Sequence, residues 1–140
     1  MSMMAEMMSM SMKDMKDAQK MDMAGMQACI EACSACEQAC TVCADGMMDM
    51  PRCASMCAST ADVCNTMMRM MMRPAGYDMA AMMSMLETTI AMCKACAAEC
   101  MMHADMREEC RMCAQACMEC QKACEAMLMS MKSMKSMSMS

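Results

Sequence analysis

The stretch CRMCAQACMECQKAC, residues 110–124, contains five cysteines in fifteen residues, at intervals of 3, 4, 3 and 4. An alternation of three and four keeps the cysteines on one narrow stripe of an α-helix, each about one turn from the last. Polar residues such as Arg111, Glu119 and Lys122 lie between them and are typical of a solvent-facing side. The stretch therefore predicts an amphipathic helix whose buried stripe consists of thiols.

The same period recurs in three other parts of the chain. Intervals of three and four separate the cysteines there, with one gap of seven in which Thr60 occupies the intermediate position. The four stripes are Cys29, Cys33, Cys36, Cys40 and Cys43; Cys53, Cys57 and Cys64; Cys93, Cys96 and Cys100; and Cys110, Cys113, Cys117, Cys120 and Cys124. We therefore expect sixteen thiols on the inward sides of four helices, as metal ligands.

Glycine and proline mark the helix boundaries because the chain has only three glycines and two prolines. A helix is expected to stop at Gly46, the next to accept Pro51 in its first turn, and the third to follow an Asp78 N-cap. Asp105 and Glu108 are expected to form a capping box at the start of the fourth. The helices are predicted at about 21–45, 50–72, 78–103 and 105–131. Short connections favour an all-α, antiparallel up-down four-helix bundle.

The two ends of the chain differ in composition from the cysteine-bearing part. Residues 1–20 are rich in Met, Ser, Lys and Asp, which is compatible with an extra N-terminal helix or a frayed segment. Residues 132–140 are expected to form a mobile Met/Ser/Lys tail. The first twenty residues lack the basic start and clean apolar centre of an export signal, so we expect a cytoplasmic protein.

Several functional classes are disfavoured by the composition. The net charge is −5 and the twelve Lys and Arg residues are scattered, whereas nucleic-acid binding needs a clustered basic footprint. The apolar stretches fall far short of the roughly 20 residues that span a bilayer. The chain has one histidine, His103, and no cysteine is singled out as a nucleophile, so we do not expect an enzyme.

Antiparallel geometry allows the heights of the inward residues to be counted from the connections. One end of the bundle should have four cysteines at the same level, namely Cys43, Cys53, Cys100 and Cys110. A second set of inward residues should lie about 21 Å deeper. That deeper set is Cys29, Met67, Leu86 and Cys124, and beyond it lie Met26, Met71, Met82, Met127 and Met131. The bundle is therefore predicted to be a thiol-lined tube that is closed at one end by methionine.

Charge indicates which metal such a tube would hold. Four tetrahedral Zn²⁺ ions would neutralise only about half of sixteen buried thiolates, which is costly. Cu(I) prefers soft thiolate and thioether ligands, and at about one ion per cysteine it leaves the core neutral. The expected cargo is therefore multiple Cu(I) ions, with Ag(I) as a mimic.

Three alternatives remain beside copper storage. Iron-sulfur proteins use four-cysteine groups such as C-x2-C-x2-C-x3-C-P, and this chain has no Cys-Pro. Zinc binding in the bundle is disfavoured by the charge argument. A sulfur-rich structural or nutrient-store protein with incidental soft-metal binding is the third, because Cys and Met also serve as plain apolar filling.

Two segments resemble a known family. CIEACSACEQACTVCAD (29–45) and CKACAAECMMHADMREECRMCAQACMECQKAC (93–124) are similar to the copper storage proteins, which are Cys-rich four-helix bundles. The resemblance covers most of residues 26–127. It implies a cytosolic store of many Cu(I) ions that is loaded near the histidine, and a homo-oligomer, commonly a tetramer.

Three further residues are candidate accessory ligands at the loading end. His103 follows Cys100 by three residues and continues the inward stripe, Met106 lies near Cys110, and Met47 lies in the first interhelical loop. Thioethers bind Cu(I) without deprotonation, which suits a transfer site. Met47 stands where the family pattern has a further cysteine, and Thr60 replaces another.

Overall fold

The computed structural model describes residues 23–139, together with Met3, Glu6, Met7 and Met10. Four helices account for most of this part of the chain: α1 (Met23–Gly46), α2 (Pro51–Met71), α3 (Met79–Met101) and α4 (Glu108–Met139), with a 3-10 turn at Pro74–Gly76. The expected N-terminal helical or frayed segment, 1–20, falls largely outside the described residues.

The helices form the expected antiparallel bundle. α1 packs against α2 and α4, and α3 packs against the same two helices, so the four helices lie at the corners of a square in chain order. The α1–α2 and α3–α4 loops meet at one end, which we call the open end. The α2–α3 connection lies at the other, the closed end.

Local sequence signals explain most of the helix ends. The carboxylate of Asp78 accepts a hydrogen bond from the backbone N–H of Ala81 at 2.9 Å, which satisfies a donor of the first turn of α3. Pro51 is the first residue of α2, where its missing N–H costs nothing. α1 ends at Gly46, although no glycine of the described chain adopts a positive φ.

α4 differs from the expectation at both ends. It begins at Glu108 and not at Asp105, because residues 102–106 form turns in which the N–H groups of Met106 and Arg107 both bond to the carbonyl of His103. It continues to Met139, through the segment expected to be a mobile tail. The stripe of Met127 and Met131 continues to a half-buried Met134, and no glycine or proline interrupts the helix.

Methionine fills the closed end. Met26, Met67, Met71, Met82, Met127 and Met131 are each at most 2% exposed and surround the buried Leu86. The phenol of Tyr77 donates a hydrogen bond of 2.6 Å to the carbonyl of Met71 and so covers the end of α2. No described helix is long and apolar enough to cross a membrane.

Candidate metal centre

All sixteen cysteines point into the core, as the period predicts. Each is a free thiol with no solvent exposure. The alternating interval of three and four residues keeps each stripe on the axis of the bundle over the whole length of the cysteine-bearing segments. The core of the bundle, from the open end to the methionine-filled closed end, is therefore a column of thiol sulfur atoms, which we call the thiol column.

The α1 and α4 stripes face each other rung by rung. Five Sγ–Sγ distances between them range from 3.5 to 3.8 Å. The pairs, from the closed to the open end, are Cys29–Cys124, Cys33–Cys120, Cys36–Cys117, Cys40–Cys113 and Cys43–Cys110. In every pair the two residue numbers add up to 153, so the antiparallel register between α1 and α4 is the same along the whole stripe.

The helices at opposite corners of the square, α1 with α3 and α2 with α4, are also aligned by a constant difference in residue number. Cys40 lies 3.9 Å from Cys96, and Cys57 lies 3.8 Å from Cys113, measured between Sγ atoms. Both pairs are separated by 56 residues in sequence, as is Cys64–Cys120 at 3.9 Å. Because diagonal helices run in the same direction, a constant difference of 56 fixes which of their residues share a level.

The thiols gather into groups whose sulfur atoms lie within 4.8 Å of one another. Four groups contain four thiols and one contains three. They are Cys43, Cys53, Cys57 and Cys100; Cys57, Cys96, Cys100 and Cys113; Cys40, Cys96, Cys113 and Cys117; Cys36, Cys64, Cys93 and Cys120; and the innermost group, Cys29, Cys33 and Cys124. The second group consists entirely of thiols that also belong to its neighbours, so metal ions filling all groups must share bridging thiolates.

Two buried threonines lie on the inward stripes, Thr60 between two cysteines of α2 and Thr89 one turn before the first cysteine of α3. Thr60 on α2 and Thr89 on α3 have no solvent exposure. Each hydroxyl donates a hydrogen bond of 2.8 Å to the carbonyl four residues earlier, of Met56 and Met85 respectively. Their hydroxyls are thus satisfied within their own helices, and these two positions contribute no thiol to the column.

A charged cluster lies at the open end. The carboxylate of Glu99, 8% exposed, accepts a hydrogen bond of 2.7 Å from Nε of Arg52, and its other oxygen lies 3.2 Å from Nε2 of His103. The hydrogen bond from Arg52 lowers the pKa of Glu99 below its ordinary value; burial opposes this shift, and the contact with His103 adds to it. When His103 donates its Nε2 proton to this carboxylate, Nδ1 keeps a lone pair for a metal ion.

Sequence reasoning missed Glu99 and Arg52. The only signal for Glu99 was its position four residues before His103, a spacing at which side chains meet on a helix. Arg52 is contributed by α2, and nothing in the sequence pairs it with a residue of α3. The buried carboxylate is therefore a finding of the tertiary structure.

The three candidate accessory ligands occupy different environments. His103 has a largely buried side chain, 16% exposed, and its backbone N–H donates a hydrogen bond of 3.0 Å to the carbonyl of Cys100 at the open end. Met47 is fully buried as part of the core, whereas Met106 is 85% exposed on the turn between α3 and α4. His103 and Met47 are therefore largely or fully buried at the open end of the bundle, whereas Met106 is exposed there.

Arg107 joins the two loops of the open end. Its guanidinium donates hydrogen bonds to the carbonyl of Gly46 at 3.1 Å and to the carboxylate of Asp49 at 2.8 Å. The open end therefore has a fixed rim, inside which burial raises the pKa of the Cys43 and Cys110 thiols. A copper ion that binds there must displace thiol protons.

Residues 6–129 match the family model described as copper storage protein. The chain belongs to the copper storage protein family. Among solved structures of this family, the Streptomyces lividans copper storage protein loaded with 10 copper equivalents is 34% identical, with a TM-score of 0.82. That alignment covers 91% of this chain and 98% of the other.

Other solved structures of Streptomyces lividans copper storage proteins are also similar to this chain. A cytosolic copper storage protein from Streptomyces lividans with five coppers is 39% identical, with a TM-score of 0.72 over 75% of this chain and 92% of that one. A histidine-to-alanine variant of the Streptomyces lividans protein is 38% identical, with a TM-score of 0.76 over 79% and 98%. No curated protein matches the chain.

Proposed function

We propose that this protein stores Cu(I) ions on the thiolates of its core, at up to about one ion per cysteine. The observation that carries the proposal is the continuous column of sixteen buried free thiols with neighbouring Sγ atoms 3.5–4.0 Å apart. Membership of the copper storage family and the copper-loaded relatives support it. The protein acts as a store, and no catalytic role is proposed.

The shared thiols favour copper over zinc. Isolated tetrahedral Zn²⁺ sites need four thiolates each, and the group Cys57, Cys96, Cys100 and Cys113 could be filled only by emptying its neighbours. Cu(I) accepts low coordination numbers and shares thiolates, so every group can be occupied at once. One Cu(I) for each thiolate also removes the net charge that burial makes costly.

Loading is proposed to occur at the open end, through His103 and Met47. His103 follows Cys100 by about one turn and its Nε2 contacts Glu99, while Met47 offers a neutral thioether that is part of the buried core. The exposed Met106 is retained as a first, transient contact for an arriving ion. We further propose a cytoplasmic homo-oligomer, with the groove lined by Val42 and Met112 as the contact surface. Light scattering after gel filtration measures the oligomeric state.

Anaerobic titration with Cu(I) against a chromophoric chelator tests storage. The expected result is saturation above about ten ions per chain, because the stripes offer sixteen thiolates. Saturation at about four ions or fewer would indicate separate four-thiolate sites and contradict the proposal. A sulfur-rich nutrient store would show weak binding without a defined end point.

The polarity of loading is tested by two kinds of variant. His103→Ala should slow the uptake of Cu(I) from a chelated donor and leave the final capacity unchanged. Cys117→Ser and Cys120→Ser, in the middle of the column, should lower the capacity and leave the early rate unchanged. Stopped-flow absorption at the thiolate bands measures both quantities, and equal effects of both kinds of variant on rate and capacity would count against loading from this end.

A further inference from the structure

We propose that Met67 is a Cu(I) ligand that completes the innermost thiol group, Cys29, Cys33 and Cys124. The inference rests on the proposed storage of Cu(I) and adds a thioether site at the boundary between the thiol column and the methionine-filled closed end. It assigns a metal-binding role to one of the six buried methionines of the closed end, which otherwise serve as packing.

The innermost group lacks a fourth ligand. It has three thiols, contributed by α1 and α4 alone, whereas the next group along the column takes one thiol from each of the four helices. Cys64 of α2 approaches Cys33, but no cysteine of α2 or α3 has its sulfur within 4.8 Å of all three members of the group. A copper ion shared by Cys29, Cys33 and Cys124 would have two open sides.

The register places Met67 at this opening. Residues of α2 and α4 that share a level differ by 56, as in Cys64–Cys120, so Cys124 is level with position 68 of α2. Met67 is one residue away, a difference of about 1.5 Å along the axis. Met67 continues the Cys57 and Cys64 stripe and has no solvent exposure, so it is on the inward side.

The direction of the side chain brings its sulfur toward the thiols. Helical side chains lean toward the N-terminus of their helix, and α2 begins at the open end. The Met67 thioether therefore leans toward the column, while Cys29 and Cys33 on α1 lean toward the closed end. Met71 follows one turn later on the same stripe, equally buried, and is too deep to reach the same ion.

The chemistry of the neighbours selects a thioether. Thr89 of α3 differs from Cys33 by 56 residues and so shares its level, but its hydroxyl is committed to the Met85 carbonyl and is a hard ligand. The Met67 sulfur is soft and uncharged. A Cu(I) ion that replaces the thiol proton of Cys29 or Cys124 as it binds gives a neutral unit, and Met67 completes it without adding charge.

The test uses the full chain labelled with ¹³C at the methionine methyl groups and titrated anaerobically with Cu(I). The Met67 and Met71 signals are assigned by their loss in Met67→Leu and Met71→Leu, which conserve side-chain volume and should preserve the fold. The Met67 methyl signal should shift on loading, and the Met71 signal should stay near its starting position. Met67→Leu should lose about one equivalent to a competing chelator, an equivalent that the unaltered chain and Met71→Leu retain.

The outcomes separate this inference from the proposed function. A Met67 signal that moves no more than that of Met71, in a protein that binds more than about ten ions, would overturn the thioether site and leave storage intact. Binding of about four ions or fewer by the unaltered chain would instead overturn storage, and the thioether site with it. Far-UV circular dichroism of the variants verifies that capacity is compared between folded proteins.

Discussion

Glu99 is the residue whose environment most directly supports the proposed loading through His103. Its carboxylate is nearly buried. One oxygen accepts a hydrogen bond from Arg52, and the other faces His103. A carboxylate that holds one nitrogen of a histidine fixes the tautomer and orientation of the ring, and so presents the other nitrogen to a metal. Glu99 is therefore a positioning residue for His103, and Arg52 keeps the carboxylate in place.

Glu99→Gln should slow copper uptake by about tenfold, the lower end of the loss seen when an outer-shell partner of a metal ligand is removed. The change preserves side-chain shape, and the stopped-flow rate with a chelated Cu(I) donor measures the effect. His103→Ala should slow uptake comparably, and combining the two should add little, because both remove the same oriented ring.

Glu108→Gln is the matched control for this prediction. Glu108 is an exposed carboxylate at the start of α4 that pairs with Arg111, away from His103. Its replacement should leave the loading rate unchanged. Equal slowing by Glu99→Gln and Glu108→Gln would show that general surface charge, and not the orientation of His103, governs loading.

At the scale of the helices, the interval of three and four residues sets where each stripe lies, and single interruptions set its chemistry. Thr60 occupies a rung between Cys57 and Cys64 and bonds to its own helix. It is buried to the same extent as the cysteines around it. A cysteine at position 60 would therefore point into the thiol column, where the chain has a threonine.

Thr60→Cys should raise the copper capacity by about one ion, because one more soft ligand enters the column. The hydroxyl is lost together with its hydrogen bond, which costs about 1 kcal/mol and leaves the bundle folded. Native mass spectrometry of the fully loaded protein counts the ions. Thr66→Cys, on the exposed face of the same helix, adds a thiol outside the column and should leave the count unchanged; an equal gain there would contradict the argument.

The helices also show how far local sequence signals extend. The cysteine period, Pro51 and Asp78 allowed the existence and inward faces of all four helices to be predicted, because these signals act within one or two turns. The end of α4 could not be located in the same way. Met, Ser and Lys neither break a helix nor require one, so the packing of Met131 and Met134 decides that α4 continues.

At the scale of the whole molecule, the thiol column is the core that holds the four helices together. Thiols form few strong contacts with one another, whereas a metal ion bound by cysteines of different helices crosslinks those helices. The group of Cys36, Cys64, Cys93 and Cys120 takes one ligand from every helix. Copper loading and folding stability must therefore be coupled.

Added Cu(I) should raise the free energy of unfolding progressively, by about 2.7 kcal/mol for each site when free copper is about one hundred times its dissociation constant, and the urea midpoint should rise with it. Anaerobic circular dichroism at increasing copper content measures this. The gain should shrink as the pH falls, since protons compete with Cu(I) for the thiolates. Mg²⁺, a hard cation, should have no effect, and a midpoint independent of copper would show that the ions do not bridge the helices.

The sequence by itself determined the all-α bundle, the inward position of the sixteen thiols and the methionine-filled closed end. It could do so because an α-helix has a fixed period, and antiparallel helices with short loops have a countable register. Only the tertiary structure decided which thiols form groups, that the innermost group has three members, and that Glu99 joins Arg52 to His103. These features depend on distances between side chains of different helices, which a periodic pattern within one helix does not specify.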